Sequence, residues 1–185
     1  DNILDSCIDD LLDQLLGKGF HVYVRPHPEY VKRYGVRMNE IVCRYQNYNG
    51  GDLYFELDFT NSDSLYDSDA VISDWSGAAY EFAFITKKPV LFINTPPKIN
   101  NPEYDQLEAR PLELTLRDKV GAQLEMNQLN QTYETICSLL DAGNEYKDRI
   151  TKILNDTISY LGKQSDEIGG QYILYQLEER NKHAG

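Results

Sequence analysis

Short apolar runs that alternate with amphipathic segments predict an α/β fold for this chain, with a Rossmann-like parallel sheet flanked by helices. The runs are typical of buried strands, and they recur through the first half of the sequence. From about residue 116 to residue 182 the pattern is helical, and this part is expected to cover one face and the edge of the sheet. The 185 residues suffice for one sizeable core, which predicts a single domain over residues 1–185.

The elements are predicted from hydrophobic spacing and from the residues that interrupt it. The opening apolar stripe ends at Gly17 and Gly19, and a helix is expected to start near Pro28, since proline suits a first helical turn. Strands are predicted over residues 20–24, 53–57, 70–73 and 90–93, helices over residues 3–16, 75–85 and 168–177, a helical turn at 65–66, and breaks at 143 and near 162–166. Residues 38–45 fit either a helix or a strand.

The composition narrows the partners that this chain can have. Acidic residues outnumber basic residues by 30 to 18, which gives a formal net charge of −12. Such a surface repels nucleic acid and anionic lipid, so no nucleic-acid partner is expected, and an anionic ligand needs a local positive site. The three cysteines are far apart and lack a Cys-x-x-Cys spacing, which predicts reduced thiols, a cytosolic protein and no metal site.

The chain contains no run near the roughly 18 apolar residues that span a bilayer, and no signal-peptide pattern opens it. It starts at Asp1 without an initiator methionine and runs straight into a helical pattern. We therefore expect it to be a piece of a longer protein.

A first chemical motif, Arg25-Pro26-His27-Pro28, follows the strand predicted at residues 20–24. The two prolines restrict the backbone and would hold the imidazole of His27 in a fixed direction. Ligands of open parallel sheets bind beyond the carboxyl ends of the strands, and an imidazole can donate a proton or a hydrogen bond to a phosphate there. Arg25 either adds positive charge to this pocket or pairs with a sheet carboxylate; a surface loop with an incidental histidine is the alternative.

A second motif, Ser73-Asp74-Trp75-Ser76-Gly77, joins the strand predicted at residues 70–73 to the next helix. Ser76 or Asp74 is expected to be the N-cap of that helix. A helix N-terminus offers unpaired N–H groups and a partial positive charge, which suit a phosphate. Gly77 would let a ligand approach the backbone, and Ser73 and Ser76 would add hydroxyl donors. Plain capping without a ligand fits the same spacing.

Further polar or aromatic residues could contribute to the same crevice. Asn61, Ser62 and Ser64 occupy another strand-to-helix junction, where they either add donors or cap a turn. Trp75 could stack on a base or simply pack against the core. Asp74 of the second motif and Glu81, further along the helix that follows it, are further possible donor-binding residues. No cofactor is expected.

Four segments, taken in order, resemble the CDP-glycerol glycerophosphotransferase family, which includes teichoic acid primases and polymerases and related capsule enzymes. They are Arg-Pro-His-Pro at residues 25–28, Ser-Asp-Ala-Val-Ile-Ser-Asp-Trp-Ser-Gly at 68–77, Lys-Pro-Val-Leu-Phe at 88–92 and Gly-Lys-Gln-Ser-Asp-Glu-Ile at 162–168. The resemblance rests on the four segments together and on their order.

The resemblance implies a GT-B architecture, with this chain as the C-terminal, donor-binding half. It implies transfer of glycerol phosphate, or a related polyol or sugar phosphate, from a CDP-linked donor to an acceptor hydroxyl. His27 would face the donor pyrophosphate and assist the departure of CMP. Ser73, Ser76 and Gly77 would bind phosphate oxygens without a metal, and Arg25 is a candidate beside them.

The same resemblance implies a lipid-linked or polymer acceptor, bound through an N-terminal half, at the cytoplasmic face of a bacterial membrane. The association with that membrane would be peripheral. The family's other catalytic histidine lies outside the residues matched here. This chain alone is therefore expected to bind the donor weakly and not to turn it over.

Three positions depart from the family pattern: Trp75 stands where tyrosine is usual, Gly77 where serine is usual, and Glu81 where aspartate is usual. The glycine keeps the backbone N–H but removes a hydroxyl. Two alternatives stay open. One is a nucleotide-sugar glycosyltransferase or epimerase of the GT-B class, and the other is a non-catalytic nucleotide-binding or interaction module.

Overall fold

The computed structural model describes residues 2–97, 103–104, 111–157 and 165–183. Asp1–Ile150 and Thr151–Gly185 are two compact units. The helices of the described residues are α1 (Ile3–Ser6), α2 (Ile8–Leu15), α3 (Pro28–Arg33), α4 (Gly35–Arg44), α5 (Asp63–Asp67), α6 (Ala78–Thr86), α7 (Leu112–Val120), α8 (Thr132–Asp141), α9 (Gly143–Thr157) and α10 (Ser165–His183), with a 3₁₀ helix at Met126–Gln131. The strands are β1 (Val22–Val24), β2 (Leu53–Phe55), β3 (Val71–Ser73), β4 (Val90–Asn94) and β5 (Gly121–Glu125).

The strands of the described residues form two parallel sheets. β1 pairs with β2, with Tyr23 opposite Tyr54. β4 lies between β3 and β5, with Val90 opposite both Val71 and Gly121. Parallel neighbours need crossover connections, which α3 and α4 supply between β1 and β2, and α6 between β3 and β4. The prediction of an α/β fold with parallel strands flanked by helices is confirmed.

Helix α2 packs against both sheets. Leu11 and Leu15 lie in a core cluster with Leu91 of β4, and side chains of β1, β3 and β5 also contact this cluster. Ile8 and Leu12 lie in a second cluster, which includes side chains of β1 and β2. Strand β1 thus contacts both clusters, whereas β2 contacts the second and β3 the first.

Two hydrogen bonds set the direction of α1 and α2 relative to the strands. The N–H of Gly17, just after α2, donates to the Asp52 carboxylate, which precedes β2 (2.9 Å). The N–H of Ile3, at the start of α1, donates to the Asp74 carboxylate, which follows β3 (3.2 Å). The two helices therefore run from the end of β3 to the start of β2, and both sheets end at one edge, which we call the carboxyl edge.

Strand β4 is covered on both faces, as parallel strands usually are. Its side chains from Val90 to Ile93 are fully buried. Leu91 and Ile93 belong to the cluster beneath α2, while the ring of Phe92 lies 5.5 Å from the ring of Tyr80 in α6. Helices thus cover this strand from opposite sides.

Two features of the fold differ from the sequence-based predictions. The helical pattern predicted from about Leu116 onward was wrong at Gly121–Glu125, which form β5 beside β4. This strand has no β-branched residue, and its place in the sheet depends on pairing with the buried β4 rather than on local propensity.

The predicted helix over residues 3–16 is two helices, because Cys7 leaves the helical conformation with φ −155°. The ambiguous residues 38–45 belong mostly to α4.

At Gly121, β5 lies so close to the backbone of β4 that no side chain fits between them. A Cβ placed on Gly121 would lie 1.7 Å from the carbonyl oxygen of Val90, which is backbone and cannot rotate away. We expect Gly121→Ala to lower the free energy of unfolding by about 3 kcal/mol or more, since overpacking here requires the strands to separate. Chemical denaturation measures this loss, with Gly143→Ala as the matched control, because a Cβ at Gly143 meets nothing within 4 Å. Equal stability of the two variants would contradict the pairing of β5 with β4.

Cys7 gives a second test of the packing around α1 and α2. Its side chain is buried, and burial raises the pKa of the thiol to about 11, with the Asp10 and Asp74 carboxylates adding to the rise. The thiolate is the reactive form, so at pH 8 nearly all of Cys7 is in the unreactive thiol form. We expect iodoacetamide to label the exposed Cys43 first and Cys7 only after denaturation, as read by peptide mass spectrometry. Fast labelling of Cys7 in the native protein would show that its side chain is not buried between α1 and α2.

Candidate functional site

The predicted site residues lie in the segments that follow β1, β2 and β3, at the carboxyl edge. Residues 25–28 connect β1 to α3, residues 56–62 connect β2 to α5, and residues 74–77 connect β3 to α6. Helix α1 connects the third of these segments to α3, the helix that follows the first. Its Ile3 N–H donates to Asp74, and its Asp5 carboxylate accepts the Tyr30 hydroxyl of α3 at 2.6 Å.

His27 is exposed and is the N-cap residue of α3, where Pro28 occupies the first helical position. Its Nδ1 accepts a hydrogen bond from the Glu29 N–H at 3.1 Å. A nitrogen that accepts a hydrogen bond carries no proton, so the proton of the neutral ring lies on Nε2. His27 can therefore donate a hydrogen bond through Nε2 without losing its cap, whereas a second proton on Nδ1 would break the cap.

Arg25 pairs with a carboxylate at the end of the sheet, which is one of the two roles expected for it; the other was to add positive charge to the pocket. Its Nη1 lies 3.1 Å from Glu56, and its Nη2 donates to the backbone carbonyl of Asn61 at 2.6 Å. The Ser64 hydroxyl donates to the same Glu56 oxygen. Glu56 thus joins Arg25 to Ser64, Arg25 also binds Asn61, and a phosphate would have to share or displace these contacts. Ser62 is the N-cap residue of α5, but its side chain makes no capping hydrogen bond.

The 73–77 turn is held by the Asp74 carboxylate. One oxygen accepts the Trp75 N–H at 2.7 Å, and the other accepts the Ile3 N–H of α1. The prediction that Ser76 or Asp74 is the N-cap of α6 was wrong, because Gly77 occupies that position with helical φ and ψ of −60° and −30°. Asp74 binds the start of α1 instead, so its carboxylate is unavailable to α6.

The turn retains open hydrogen-bond donors beside α6. The Ser76 hydroxyl accepts the Ala78 N–H at 3.3 Å, and the Tyr80 N–H donates to the Gly77 carbonyl at 3.0 Å. The Ser73 hydroxyl and the adjacent N–H groups of Ser76 and Gly77 have no hydrogen-bond partner among the described residues. Gly77 is exposed, and a Cβ there would meet nothing within 4 Å, so a ligand can approach the backbone at this residue, while Ser73 and Ser76 are partly exposed.

Negative charge also lies near this turn. Glu81 is exposed in the first turn of α6, and Asp74 precedes the turn's tryptophan. A carboxylate in the first turn is itself stabilised by the positive end of the helix, so Glu81 competes with an anionic ligand for that end. A phosphate bound at Gly77 therefore depends on cations or hydrogen bonds that offset these two carboxylates.

Trp75 is packed rather than free. Its Nε1–H donates to the carbonyl of Thr95 at 2.7 Å, and the guanidinium of Arg117 lies 4.1 Å from its ring. One face of the indole is therefore occupied by Arg117, and any stacking on a nucleobase would have to use the other face.

Arg117 is the residue of this edge that the sequence analysis missed. Its side chain is only 3% exposed, and it donates three hydrogen bonds, to the Asp74 carbonyl, Asn94 Oδ1 and Gln123 Oε1, at 2.8–2.9 Å. It forms no ion pair with a carboxylate in the part of the chain that the structure describes. Burial lowers the pKa of its guanidinium. Two of its partners are 43 and 23 residues away in sequence, so no local pattern marks it.

The described residues contain no group of three or more His, Cys, Asp or Glu side chains placed to hold a metal ion. Across the same residues, none of the helices combines the length and the apolar composition needed to cross a membrane.

Comparisons with protein-family models, with curated proteins and with solved structures gave no match to this chain. Of the four segments that carry the family resemblance, the first three lie within the described residues. In the fourth, residues 162–164 lie outside them. Lys88, which opens the third segment, donates to the carbonyl of Ser68 at 2.7 Å and so ties β4 to the segment before β3.

Proposed function

We propose that this chain binds the CDP-linked donor of a glycerophosphotransferase and takes part in building a teichoic acid-like or capsular polymer. The reaction transfers glycerol phosphate, or a related polyol or sugar phosphate, to an acceptor hydroxyl. The observation that supports this best is that residues 25–28 and 73–77 follow β1 and β3 at one edge of the parallel sheets. The family resemblance of those same segments supplies the identity of the donor.

The position of these segments makes this edge a favourable place for a ligand. β1 pairs with β2 in one sheet and β3 with β4 in the other, and side chains of β1 and β3 contact one core cluster. Ligands of open parallel sheets bind beyond the carboxyl ends of the strands. His27 follows β1, and the 73–77 turn begins at the last residue of β3, so each sheet supplies one of the two segments.

The turn offers donors that suit a pyrophosphate. The open N–H groups of Ser76 and Gly77 lie at the start of α6, whose nine residues give that end a partial positive charge. The hydroxyls of Ser73 and Ser76 add further donors. Because these groups are neutral, the site can bind phosphate in a chain of net charge −12 without a basic patch.

His27 suits the role of a hydrogen-bond donor to the leaving group. In the proposed reaction the acceptor oxygen bonds to the β-phosphorus, and the bond from that phosphorus to the bridging oxygen breaks, leaving its electron pair on CMP. The Nε2–H of His27 would stabilise the charge that develops on CMP. The proton of the acceptor hydroxyl requires a base from outside these residues, so we expect binding rather than turnover by this chain alone.

A second candidate function, a non-catalytic binding or interaction module, has its own support. Arg25 is paired with Glu56, Ser64 donates to the same carboxylate, and Asp74 binds α1. Groups that a donor could use are therefore already satisfied within the chain. This candidate keeps the fold but requires neither His27 nor selectivity for cytidine.

Titration calorimetry with CDP-glycerol, CDP, CMP and UDP tests the proposal. We expect cytidine-selective binding, weakened at least about tenfold in His27→Ala and in Ser76→Ala, since each removes a hydrogen bond to a charged ligand. His21→Ala and Ser138→Ala are matched controls: His21 is an exposed histidine before β1, and the Ser138 hydroxyl bonds within α8. Equal affinity for UDP would favour the nucleotide-sugar class. Absence of nucleotide binding at millimolar concentration would overturn the proposal for this chain and favour the module.

The Gly77→Ala variant tests whether the ligand approaches the backbone at Gly77, because the substitution should change affinity without changing stability. The backbone at Gly77 is helical and open around the missing Cβ, so the substitution should leave the thermal unfolding midpoint unchanged. A methyl group there narrows the approach to the open N–H groups, so we expect weaker CDP-glycerol binding. Gly77→Ser introduces the hydroxyl that the family pattern has at this position. An unchanged affinity in Gly77→Ala would place the phosphate elsewhere.

A further inference from the structure

We infer that Arg117 is a positioning residue, which holds the 73–77 turn in the orientation that binds the donor phosphate. It does not offer its charge to the ligand directly, because its side chain is buried. It acts through the backbone of Asp74 and the ring of Trp75, both of which belong to the turn. This role rests on the proposed function, since the phosphate concerned is that of the proposed donor.

Arg117 contacts the turn at two points and the sheet at three. Its Nη1 donates to the Asp74 carbonyl at 2.9 Å, and its guanidinium lies 4.1 Å from the Trp75 ring. The opposite contacts are with the sheet: the Phe92 ring at 4.3 Å, Asn94 Oδ1 and Gln123 Oε1. Three donors of one planar group thus fix the turn relative to β4 and β5.

A buried charge is unfavourable for packing alone, which indicates a further role for Arg117. Removing a cation from water is costly, and an apolar side chain of similar volume often stabilises a core better. Here that cost is met by three neutral acceptors and two aromatic rings instead of a carboxylate. The result is a fixed positive charge behind a turn that is otherwise flanked by Asp74 and Glu81.

Trp75 is the only tryptophan in the sequence, so its fluorescence reports on this turn alone. The test compares the wild-type chain with Arg117→Met, which keeps the length but removes the charge and the donors, and with Arg117→Lys. Arg149→Met is the control, because Arg149 also lies over an aromatic ring, that of Tyr146, but in α9. Circular dichroism and thermal unfolding first establish that each variant is folded. Gln123→Ala, which removes one acceptor and keeps the guanidinium, serves if Arg117→Met does not fold.

Two readouts follow on the folded variants: acrylamide quenching of Trp75 and calorimetric affinity for CDP-glycerol. For Arg117→Met we expect at least twofold stronger quenching and an affinity for CDP-glycerol at least about tenfold lower, with part of the affinity recovered in Arg117→Lys. Arg149→Met should match the wild type in both. Wild-type affinity of folded Arg117→Met for CDP-glycerol would overturn the positioning role, and wild-type quenching would show that Arg117 does not hold the turn.

The failure of this role and the failure of the proposed function give different results. If the wild type binds CDP-glycerol and Arg117→Met binds it equally well, the proposed function stands and the positioning role is wrong. If the wild type binds no nucleotide, the proposed function is wrong and the donor role of Arg117 falls with it. Quenching then still shows whether Arg117 holds the turn.

Discussion

Hydrophobic contact through α2 holds the two sheets of this chain together. No hydrogen-bonded ladder joins β1 to β3 among the described residues, so backbone pairing does not align the sheets. Leu11 and Leu15 pack on one sheet, while Ile8 and Leu12 pack mainly against the other. Burying four such side chains contributes about 1.5–3 kcal/mol each, which is comparable to the whole stability of many domains. The relative position of the segments after β1 and β3 therefore depends on this packing rather than on a shared ladder.

Because α1 precedes α2 directly, the packing of α2 also positions α1 at the carboxyl edge. The Ile3 N–H binds Asp74 beyond β3, and Asp5 binds Tyr30 of α3 beyond β1. The two halves of the proposed donor site are linked by α1 instead of by the sheet. A displacement of α1 would move the 73–77 turn and the start of α3 together. Changes in ligand affinity and changes in the packing of α1 are consequently expected to be coupled.

The sequence predicted the layout of the fold well and the chemistry of the edge only in part. Hydrophobic spacing located β1 to β4 and most helices, because burial on a regular element leaves a regular pattern. It missed β5, whose Gly121, Ala122 and Gln123 have no strand preference and become a strand by pairing with β4. It placed His27 and residues 73–77 at strand ends, but could not foresee that Asp74 binds α1 or that Arg117 is buried beside Trp75. Those contacts join residues far apart in sequence, and no periodicity encodes them.

The contacts at this edge also explain how an acidic chain could recognise an anion. Arg25 pairs with Glu56, so the cation that the sequence analysis placed in the pocket is largely neutralised. What remains is a set of neutral donors on the 73–77 turn, with the buried charge of Arg117 behind it. Neutral donors in a fixed geometry bind a phosphate by hydrogen bonding and do not attract polyanions at long range, whereas surface lysines and arginines do both. Selectivity at such a site comes from the rigidity of the turn, which makes the buried arginine, rather than any surface cation, the residue on which recognition of a phosphate would depend.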